Sequence, residues 1–541
     1  MLRRRHLGRI GFAEANDFQR ALLQSSDDYV LLFEHPATYT RGIRTLEEHF
    51  LVPPELLDAV VIDADRGGDV TYHAPGQVVA WAIVTVDDDP SAGKAHVTRL
   101  EDAVIATVRS FDLEGRLGVI DRLPGYPGVW ADVQGRPTKI AAVGVRTERN
   151  DAGARRTLHG VALNVDIDLS GFSAIVPCGI ADKPVGSLNS LGLQLTSLEV
   201  EERLGSELES RLGGPASVAR VDRSGATTSS ERPLLRRLRK AGVDPDAGLP
   251  LHTRKPSWLR VEAHMGNEYQ SLRTLTEDLR LVTVCEEAGC PNIFECWSSG
   301  TATFMVNGER CTRACGFCLI DTRKPMPLDP TEPDRVAEAV VRLGLKHAVI
   351  TCVARDDLTD GGAGAIAATV RAIRDRSPGT DVEVLTSDLK GDPESLQLLI
   401  DARPDVMNHN IETVARLQRA VRPSAGYLRS LTLLARSRAA GLTTKSGLMV
   451  GLGETPEEVH ETLADLAAVG VSIVTIGQYL RPTQQHLPVA RWWEPAEFED
   501  LARRGRQLGL AHVQSSPLTR SSYHAREALS DATPVAAPTR R

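Results

Sequence analysis

Two different rhythms of apolar and polar positions divide this chain. Up to about residue 215, short apolar runs such as YVLLF (29–33) and VVAWAIV (78–84) are interspersed with amphipathic stretches such as 98–111. The runs have the length and the β-branched and aromatic content of strands, and the amphipathic stretches have helical spacing. A compact mixed α+β domain is expected there. From about 326 onward the rhythm is regular. Helices are expected over 332–344, 364–377, 394–403, 426–440, 456–469 and 497–508, and strands over 347–352, 381–386, 405–410, 444–450, 472–479 and 511–515. Repeated strand–helix units imply a parallel sheet, because parallel neighbours need a crossover of helix length. The expected class is α/β. A full or partial βα barrel fits the second half, with its active site at the carboxyl ends of the strands.

Between the halves, RVDRSGATTSSERPLLRRLRKAGVDPDAG (220–248) mixes small polar residues with Arg and Pro and shows no sustained apolar period, so it reads as a linker. The tail after 525, ending DATPVAAPTRR, reads as disordered. The expected division is 1–215, a linker over 216–250, 251–525 and a tail over 526–541. A length of 541 residues agrees with several domains at roughly 100–200 residues each.

Composition narrows the class further. With 42% hydrophobic and 25% charged residues the chain is ordinary for a globular protein. No apolar stretch reaches the ~20 residues needed to cross a bilayer, and the positive start MLRRRHLGRIGF has no hydrophobic segment behind it. The expectation is therefore no membrane span, no secretion signal and a cytoplasmic location. The net charge is −8, with the acidic excess in the first half and a basic 216–250. No long Lys/Arg block is present, which argues against nucleic acid as a partner.

The cysteines carry the sharpest signal. Of eight, six fall between Cys285 and Cys318, and clustered thiols in a large chain favour metal binding over disulfides. Cys311, Cys315 and Cys318 form C-x3-C-x2-C; three such thiolates can hold three irons of a 4Fe–4S cluster and leave the fourth iron open. A zinc knot or plain buried thiols is the alternative. Cys285, Cys290 and Cys296 form C-x4-C-x5-C, without the paired C-x2-C usual at zinc. A second 4Fe–4S cluster is favoured, its fourth ligand undefined by the local sequence. Cys352 fits neither spacing and reads as a small buried hydrophobe. In the first half Cys178 stands alone in VPCGI, which means inert packing unless a nearby cation makes it a nucleophile. Lys139, in PTKIAAVGV, is the candidate cation, one of nine lysines against 54 arginines.

GERCTRACGFC (308–318) resembles the cysteine loop of the radical S-adenosylmethionine (SAM) superfamily. The resemblance implies that SAM binds at the open iron and is cleaved to a 5′-deoxyadenosyl radical. The second half is similar to lipoyl synthase in RKPSWLR (254–260), both triads, TCVARDDLTDGGA (351–363), NHNIETV (408–414), TKSGLMVGLGET (444–455), TIGQYLRPTQQHLPV (475–489) and RSSYHA (520–525). It implies a radical SAM partial βα barrel, two 4Fe–4S clusters and SAM as cofactors, and Ser522 as fourth ligand of the second cluster. That cluster would give two sulfurs to C6 and C8 of a protein-bound octanoyl chain, with an electron donor such as ferredoxin or flavodoxin. Gly451, Gly453 and Glu454 follow a strand and would line the SAM pocket, since glycines let a ligand approach the backbone. Phe317 would pack on adenine or on the barrel core. The family usually has Ser at 352 and Asp at 354, where this chain has Cys352 and Ala354.

Residues 1 to about 212 resemble lipoyl(octanoyl) transferase, of the biotin/lipoate protein ligase-like fold. The match lies in FEHPATYTRG (33–42), RGGDVTYHAPGQ (66–77), PGVW (127–130), KIAAVGV (139–145), HGVALNV (159–165) and PCGI (177–180). It implies that Cys178 forms an acyl-thioester and that Lys139 lowers its pKa and relays the proton. Arg66, Gly67, Gly68, Asp69, Val70, Thr71, Tyr72 and His73, with Ala142, Val143, Gly144, Gly160, Val161 and Ala162, would line the acyl and carrier pocket. His73 is either a base or a pocket-shaping, hydrogen-bonding residue. The implied partners are octanoyl-acyl carrier protein and the lipoyl domains of 2-oxoacid dehydrogenases and the glycine cleavage H protein. Two other readings stand beside this one: a non-catalytic first half that recruits lipoyl domains, and an ATP-dependent lipoate ligase, although the ligase-type SGGG run is missing.

Overall fold

The computed structural model describes residues 1–214, 216–221, 232–260 and 301–532, with 274, 275, 278, 279, 281–283 and 292. It divides into two compact units, Met1–Arg220 and Val221–Arg541.

The first unit is built on an eight-stranded mixed sheet in the order β11-β1-β2-β6-β10-β9-β8-β7. Its strands are β1 (Leu2–Arg9), β2 (Asp28–Glu34), β6 (Gln77–Ile83), β7 (Val119–Leu123), β8 (Tyr126–Val133), β9 (Arg136–Arg149), β10 (Arg155–Asn164) and β11 (Ser217–Arg220). The runs YVLLF and VVAWAI fall in the centre of β2 and β6, as continuous apolar content requires of a strand covered on both faces. Helices α2 (Ala92–Phe111) and α3 (Ser197–Leu212) close one face, burying Leu100, Val104, Val108, Val200, Leu204 and Leu208 against the sheet. Thr196 and Glu199 start α3 with a reciprocal capping box. A small second sheet, in the order β4-β3-β5, joins β3 (Thr38–Arg41), β4 (Val60–Asp63) and β5 (Thr71–His73).

β1 has no apolar rhythm and is nonetheless buried except at Arg9. Its charges are answered from elsewhere: Arg3 pairs with Asp27 at 2.7 Å, Arg4 with Glu202 at 3.1 Å and Glu209 at 3.2 Å, and His6 with Glu201 at 2.6 Å. The positive start is therefore a strand neutralised largely by α3.

In the second unit the sheet order follows the chain: β12 (Val282–Thr283), β13 (Thr301–Val306), β14 (His347–Cys352), β15 (Asp381–Leu385), β16 (Val406–Asn408), β17 (Thr443–Val450), β18 (Ile473–Gln478) and β19 (His512–Ser515). Each strand from β13 to β19 runs parallel to the next, and β12 is antiparallel to β13. Winding always in one direction gives a curved, open barrel rather than a doubly wound sheet. The crossover helices are Glu332–Arg342, Ala363–Arg376, Pro393–Asp401, Tyr427–Ala439, Pro456–Ala468 and Pro495–Gln507, each within a few residues of its expected place.

One strand was not expected: β13, TATFMV, stands before the cysteine loop, which leaves its carboxyl end. Two expectations change. The stretch 216–250 is only partly a linker. Its first residues form β11 along β1, and PLLRRLRK forms a helix (Pro233–Lys240) that buries Leu238, since its leucines share one face. Of the tail, Ala525–Ala532 is a helix with Ala525 and Ala528 buried; residues 533–541 lie outside the described residues.

Candidate functional site

The loops that leave the carboxyl ends of the second unit's strands carry nearly all its candidate chemistry. The loop after β13 holds Cys311, Cys315 and Cys318. Thr312 fastens it to the loop after β14, donating from its amide (3.0 Å) and hydroxyl (2.9 Å) to the Ala354 carbonyl and accepting from the Asp356 amide at 3.0 Å. Arg313, buried between two of the cysteines, donates to both Asp356 oxygens at 2.7 and 2.8 Å and reaches Asp388, after β15, at 2.7 Å. The Gly316 amide donates to the Val421 carbonyl at 2.8 Å, and His486 bonds the Cys318 carbonyl at 2.8 Å. Four strand ends thus grip one loop. Nothing near Arg313 in the sequence announces its partners, which lie 43 and 75 positions away.

Two of these thiols resist ionisation. Burial pushes Cys315 up to about 12 and Cys318 up to about 11; neighbouring thiols and Glu412 push in the same direction, while Arg422 opposes this at Cys315. Glu412 itself is raised by burial and sits at a positive φ of 66°. Buried thiols that hold their protons this firmly suit an iron–sulfur cluster, since iron takes the place of the protons. Among the described residues no three His, Cys, Asp or Glu side chains converge on a single ion; a cubane puts each thiolate on a different iron and needs no such convergence. Glu412 and Arg422 are ionisable neighbours of the loop that the motifs alone do not single out. Cys352 packs against the core of the sheet, and burial raises it to about 11.

Cys285, Cys290 and Cys296 lie outside the described residues. Asn292, between the last two, is buried, and its side-chain amide donates to the Leu518 carbonyl at 2.7 Å. That bond ties Asn292 to the chain four residues before Ser522. The adjoining Ser521 hydroxyl is held by Asn408 at 3.0 Å and Asn410 at 3.1 Å. Asn408 also bonds Glu383, whose partner is Lys445 at 3.0 Å.

The GLGE loop follows β17. The Glu454 carboxylate faces inward, accepting from the Gly451 and Leu452 amides, the latter at 2.9 Å, and from Trp493 Nε1 at 3.0 Å. Gly451 and Gly453 have φ of 103° and 107°, and a Cβ on them would lie 2.1 Å from Gln478 Nε2 and 2.5 Å from Val243 Cγ2. Neighbouring side chains occupy the space a Cβ would take, so both positions call for glycine.

In the first unit, Ala142, Val143 and Gly144 on β9 are the register partners of Ala162, Val161 and Gly160 on β10. Val143 and Val161 pack into the core beneath the helices. Alternation then leaves Ala142, Gly144, Gly160 and Ala162 on the other face, a shallow trough of small residues. Lys139 joins that face through a β-bulge. Val129 pairs with Ala141 but Trp130 with Lys139, so Ile140 is the extra residue and turns Lys139 off the core face. Its Nζ lies 5.7 Å from the Trp130 ring centroid.

Cys178 sits in the turn Pro177–Gly179 at φ 57°, half-buried, its amide donating to the Val70 carbonyl at 2.8 Å. Arg66 is buried and donates to the Thr40 carbonyl (2.8 Å) and hydroxyl (2.7 Å); burial lowers its pKa, while the charges of Cys178 and Asp69 support it. The Gly67 amide donates to the Val145 carbonyl at 3.3 Å, which sets 66–68 against β9. Tyr72 packs beside Tyr39 with the two rings tilted by 41°, and Val70 is fully enclosed. His73 uses both ring nitrogens, bonding Gln77 at 2.7 Å and Thr40 at 3.3 Å, and burial lowers it far below the usual histidine range. It is a hydrogen-bonding residue here.

Residues 12–209 match the family model of the lipoyl protein ligase A/B catalytic domain, and residues 305–466 match the radical SAM superfamily. The chain is 55% identical over 280 residues to the lipoyl synthase of Rubrobacter xylanophilus, covering 51% of this chain and 87% of that protein. It is 52% identical over 295 residues to that of Symbiobacterium thermophilum, covering 53% and 92%. Among solved structures, a bi-partite lipoate protein ligase of Thermoplasma acidophilum covers 41% of this chain and 87% of its own, at 17% identity and a TM-score of 0.32, a level that decides nothing. No helix among the described residues is long and apolar enough to cross a membrane. In its second half the chain is an enzyme of radical SAM type preceded by a lipoyl protein ligase A/B catalytic domain, and it belongs to the lipoyl synthase family.

Proposed function

We propose that this chain carries out two consecutive steps of lipoate biosynthesis on one acceptor protein. The first unit takes octanoyl from octanoyl-acyl carrier protein onto Cys178 as a thioester and passes it to a lysine of a lipoyl domain. The acceptors are the lipoyl domains of 2-oxoacid dehydrogenases and the glycine cleavage H protein. The second unit then inserts two sulfurs, at C6 and C8, into the attached chain. Both units use the same acceptor, so joining them raises the effective concentration of the second near the product of the first.

The residues act as follows in this reading. Lys139, turned onto the trough face by the bulge, supplies the positive charge that favours a Cys178 thiolate and gives a proton to the departing group. Ala142, Gly144, Gly160 and Ala162 line the acyl and carrier pocket, and six methylenes of an acyl chain contribute about 5 kcal/mol on burial. Cys311, Cys315 and Cys318 hold one 4Fe–4S cluster, and Cys285, Cys290 and Cys296 with Ser522 hold a second. Bound with SAM and fed by a ferredoxin or flavodoxin, the first supplies hydrogen abstraction and the second the sulfur. Arg313 keeps the first loop in place, Asn408 and Asn410 hold Ser521 next to Ser522, and Asn292 holds the Leu518 carbonyl.

The observation that supports this reading best is the conjunction in one chain of extensive lipoyl synthase likeness with a ligase A/B catalytic domain whose Cys178 and Lys139 are both intact. The test is mass spectrometry of an apo lipoyl domain incubated with anaerobic, cluster-reconstituted protein, octanoyl-carrier, SAM and reductant. An octanoyl adduct should appear and convert to a lipoyl adduct, and Cys178→Ser should abolish the first. Sulfur insertion into a supplied octanoyl-domain without any octanoyl transfer would instead leave the first unit as a recruiting module.

A further inference from the structure

The turn that carries Cys178 rests on a histidine–carboxylate pair. His49, ending the single turn Glu47–His49, donates from Nδ1 to Asp69 Oδ2 at 2.6 Å. The other Asp69 oxygen accepts the Val70 amide at 2.6 Å, and the Val70 carbonyl accepts the Cys178 amide at 2.8 Å. On the other side of the turn, the Val176 amide donates to the His49 carbonyl at 2.8 Å. At Gly179 a Cβ would lie 2.8 Å from Asp69 Oδ2 and 3.3 Å from His49 Cε1. The pair therefore touches the chain on both sides of Cys178. With Nδ1 committed to Asp69, Nε2 has no hydrogen-bond partner among the described residues, and the His49 side chain keeps 19% exposure.

A carboxylate on one ring nitrogen fixes the tautomer and leaves the other to accept a proton, which is how a histidine beside a nucleophile becomes a base. Resting on the reading of Cys178 as the acyl carrier, we infer that His49, oriented by Asp69, is a second proton site of this centre, alongside Lys139. In the first half-reaction Nε2 takes the Cys178 thiol proton, the sulfur attacks the carrier thioester, and the carrier thiolate leaves with a proton from Lys139. In the second, the acceptor amine attacks the Cys178 thioester, the amine proton passes to Lys139, and the Cys178 thiolate leaves and regains its proton from Nε2. The charged groups around this exchange are Asp69, Arg66, which feels both Cys178 and Asp69, and Lys139. On the turn of His49 itself stand Glu48 and Glu47, the latter 3.6 Å from Arg41.

Alkylation of Cys178 by iodoacetamide, followed by peptide mass on the full chain from about pH 5 to 10, reads the thiolate directly. His49→Asn keeps an amide N–H for Asp69 but has no titrating ring. It should slow alkylation about tenfold at neutral pH and converge with wild type at high pH. A purely structural brace would be rescued by this variant, so a curve that superimposes on wild type overturns the inference. Asp69→Asn, of equal size, should shift the curve in the same direction and serves where His49→Asn does not fold; superposition there has the same meaning. Failure of wild type to form an octanoyl thioester on Cys178 overturns the functional reading and this inference together. A thioester formed normally, with superimposed alkylation curves, overturns this inference alone.

Discussion

Arg313 and Asp356 face one another through two parallel hydrogen bonds of 2.7 and 2.8 Å, which fix the cysteine loop to the loop after β14. The same guanidinium reaches Asp388, which has no exposure, accepts the Lys390 amide at 3.2 Å and has Arg429 as its other cation at 3.4 Å. Arg313→Gln should therefore leave a buried carboxylate uncompensated, costing about 3–5 kcal/mol. Arg313→Lys, which keeps the charge but loses the fork, should fall between. Urea unfolding and iron per chain of anaerobically purified protein read both effects. A variant with wild-type midpoint and wild-type iron would show that the clamp is dispensable.

The first unit should lose stability in mild acid. Burial, with a smaller effect from His159, lowers His35 to about 4, and burial, with Arg66 next, lowers His159 to about 3. Unfolded, each ring binds a proton near pH 6.5, so between there and about pH 4 the unfolded chain holds more protons. Stability is fully present above pH 6.5 and drains away as pH falls, by about 1.4 kcal/mol per pH unit for each histidine. Thermal unfolding followed by the tryptophans at pH 7, 6 and 5 measures it; a flat midpoint would count against neutral buried rings.

Glu383 and Lys445 form an ion pair with no exposure on either side. Burial alone would raise Glu383, yet Lys445, His347 and Asn408 together hold it at about 2. Lys445→Met should cost about 3–5 kcal/mol, and adding Glu383→Leu should recover much of that. Denaturant midpoints of the two singles and the double give the coupling. Strict additivity would mean that the two charges act independently.

Gly451 should not tolerate a side chain. At φ 103°, with Gln478 Nε2 only 2.1 Å from a Cβ, Gly451→Ala combines backbone strain with a collision. A loss of about 1–3 kcal/mol is expected from the strain alone, read as a lower melting temperature. An unchanged melting temperature would mean that the loop relaxes freely.

Much of the second half is legible from local pattern. β14 lies at the expected 347–352 and β17 begins one residue early, because a buried parallel strand and its crossover helix each write their period into adjacent residues. β1 is not legible. Four arginines and a histidine erase its period, and what permits it is an acidic face on α3 some 200 residues away. The helix Pro233–Lys240 is similar: it looks like a basic junction until Leu238 is seen inside.

The candidate site divides in the same way. Spacing alone picks out three thiols in C-x3-C-x2-C, and residue type alone makes Cys178 and Lys139 worth pairing. That Lys139 faces the trough depends on one extra residue, Ile140, in the pairing of β9 with β8. That Glu454 turns inward depends on Trp493, and that His49 stands beside Cys178 depends on Asp69 and Val176. The chemical inventory is a property of residues and their spacing along the chain. Orientation and partnership are settled when segments far apart compete for the same buried hydrogen bonds and charges, which no local window of sequence contains.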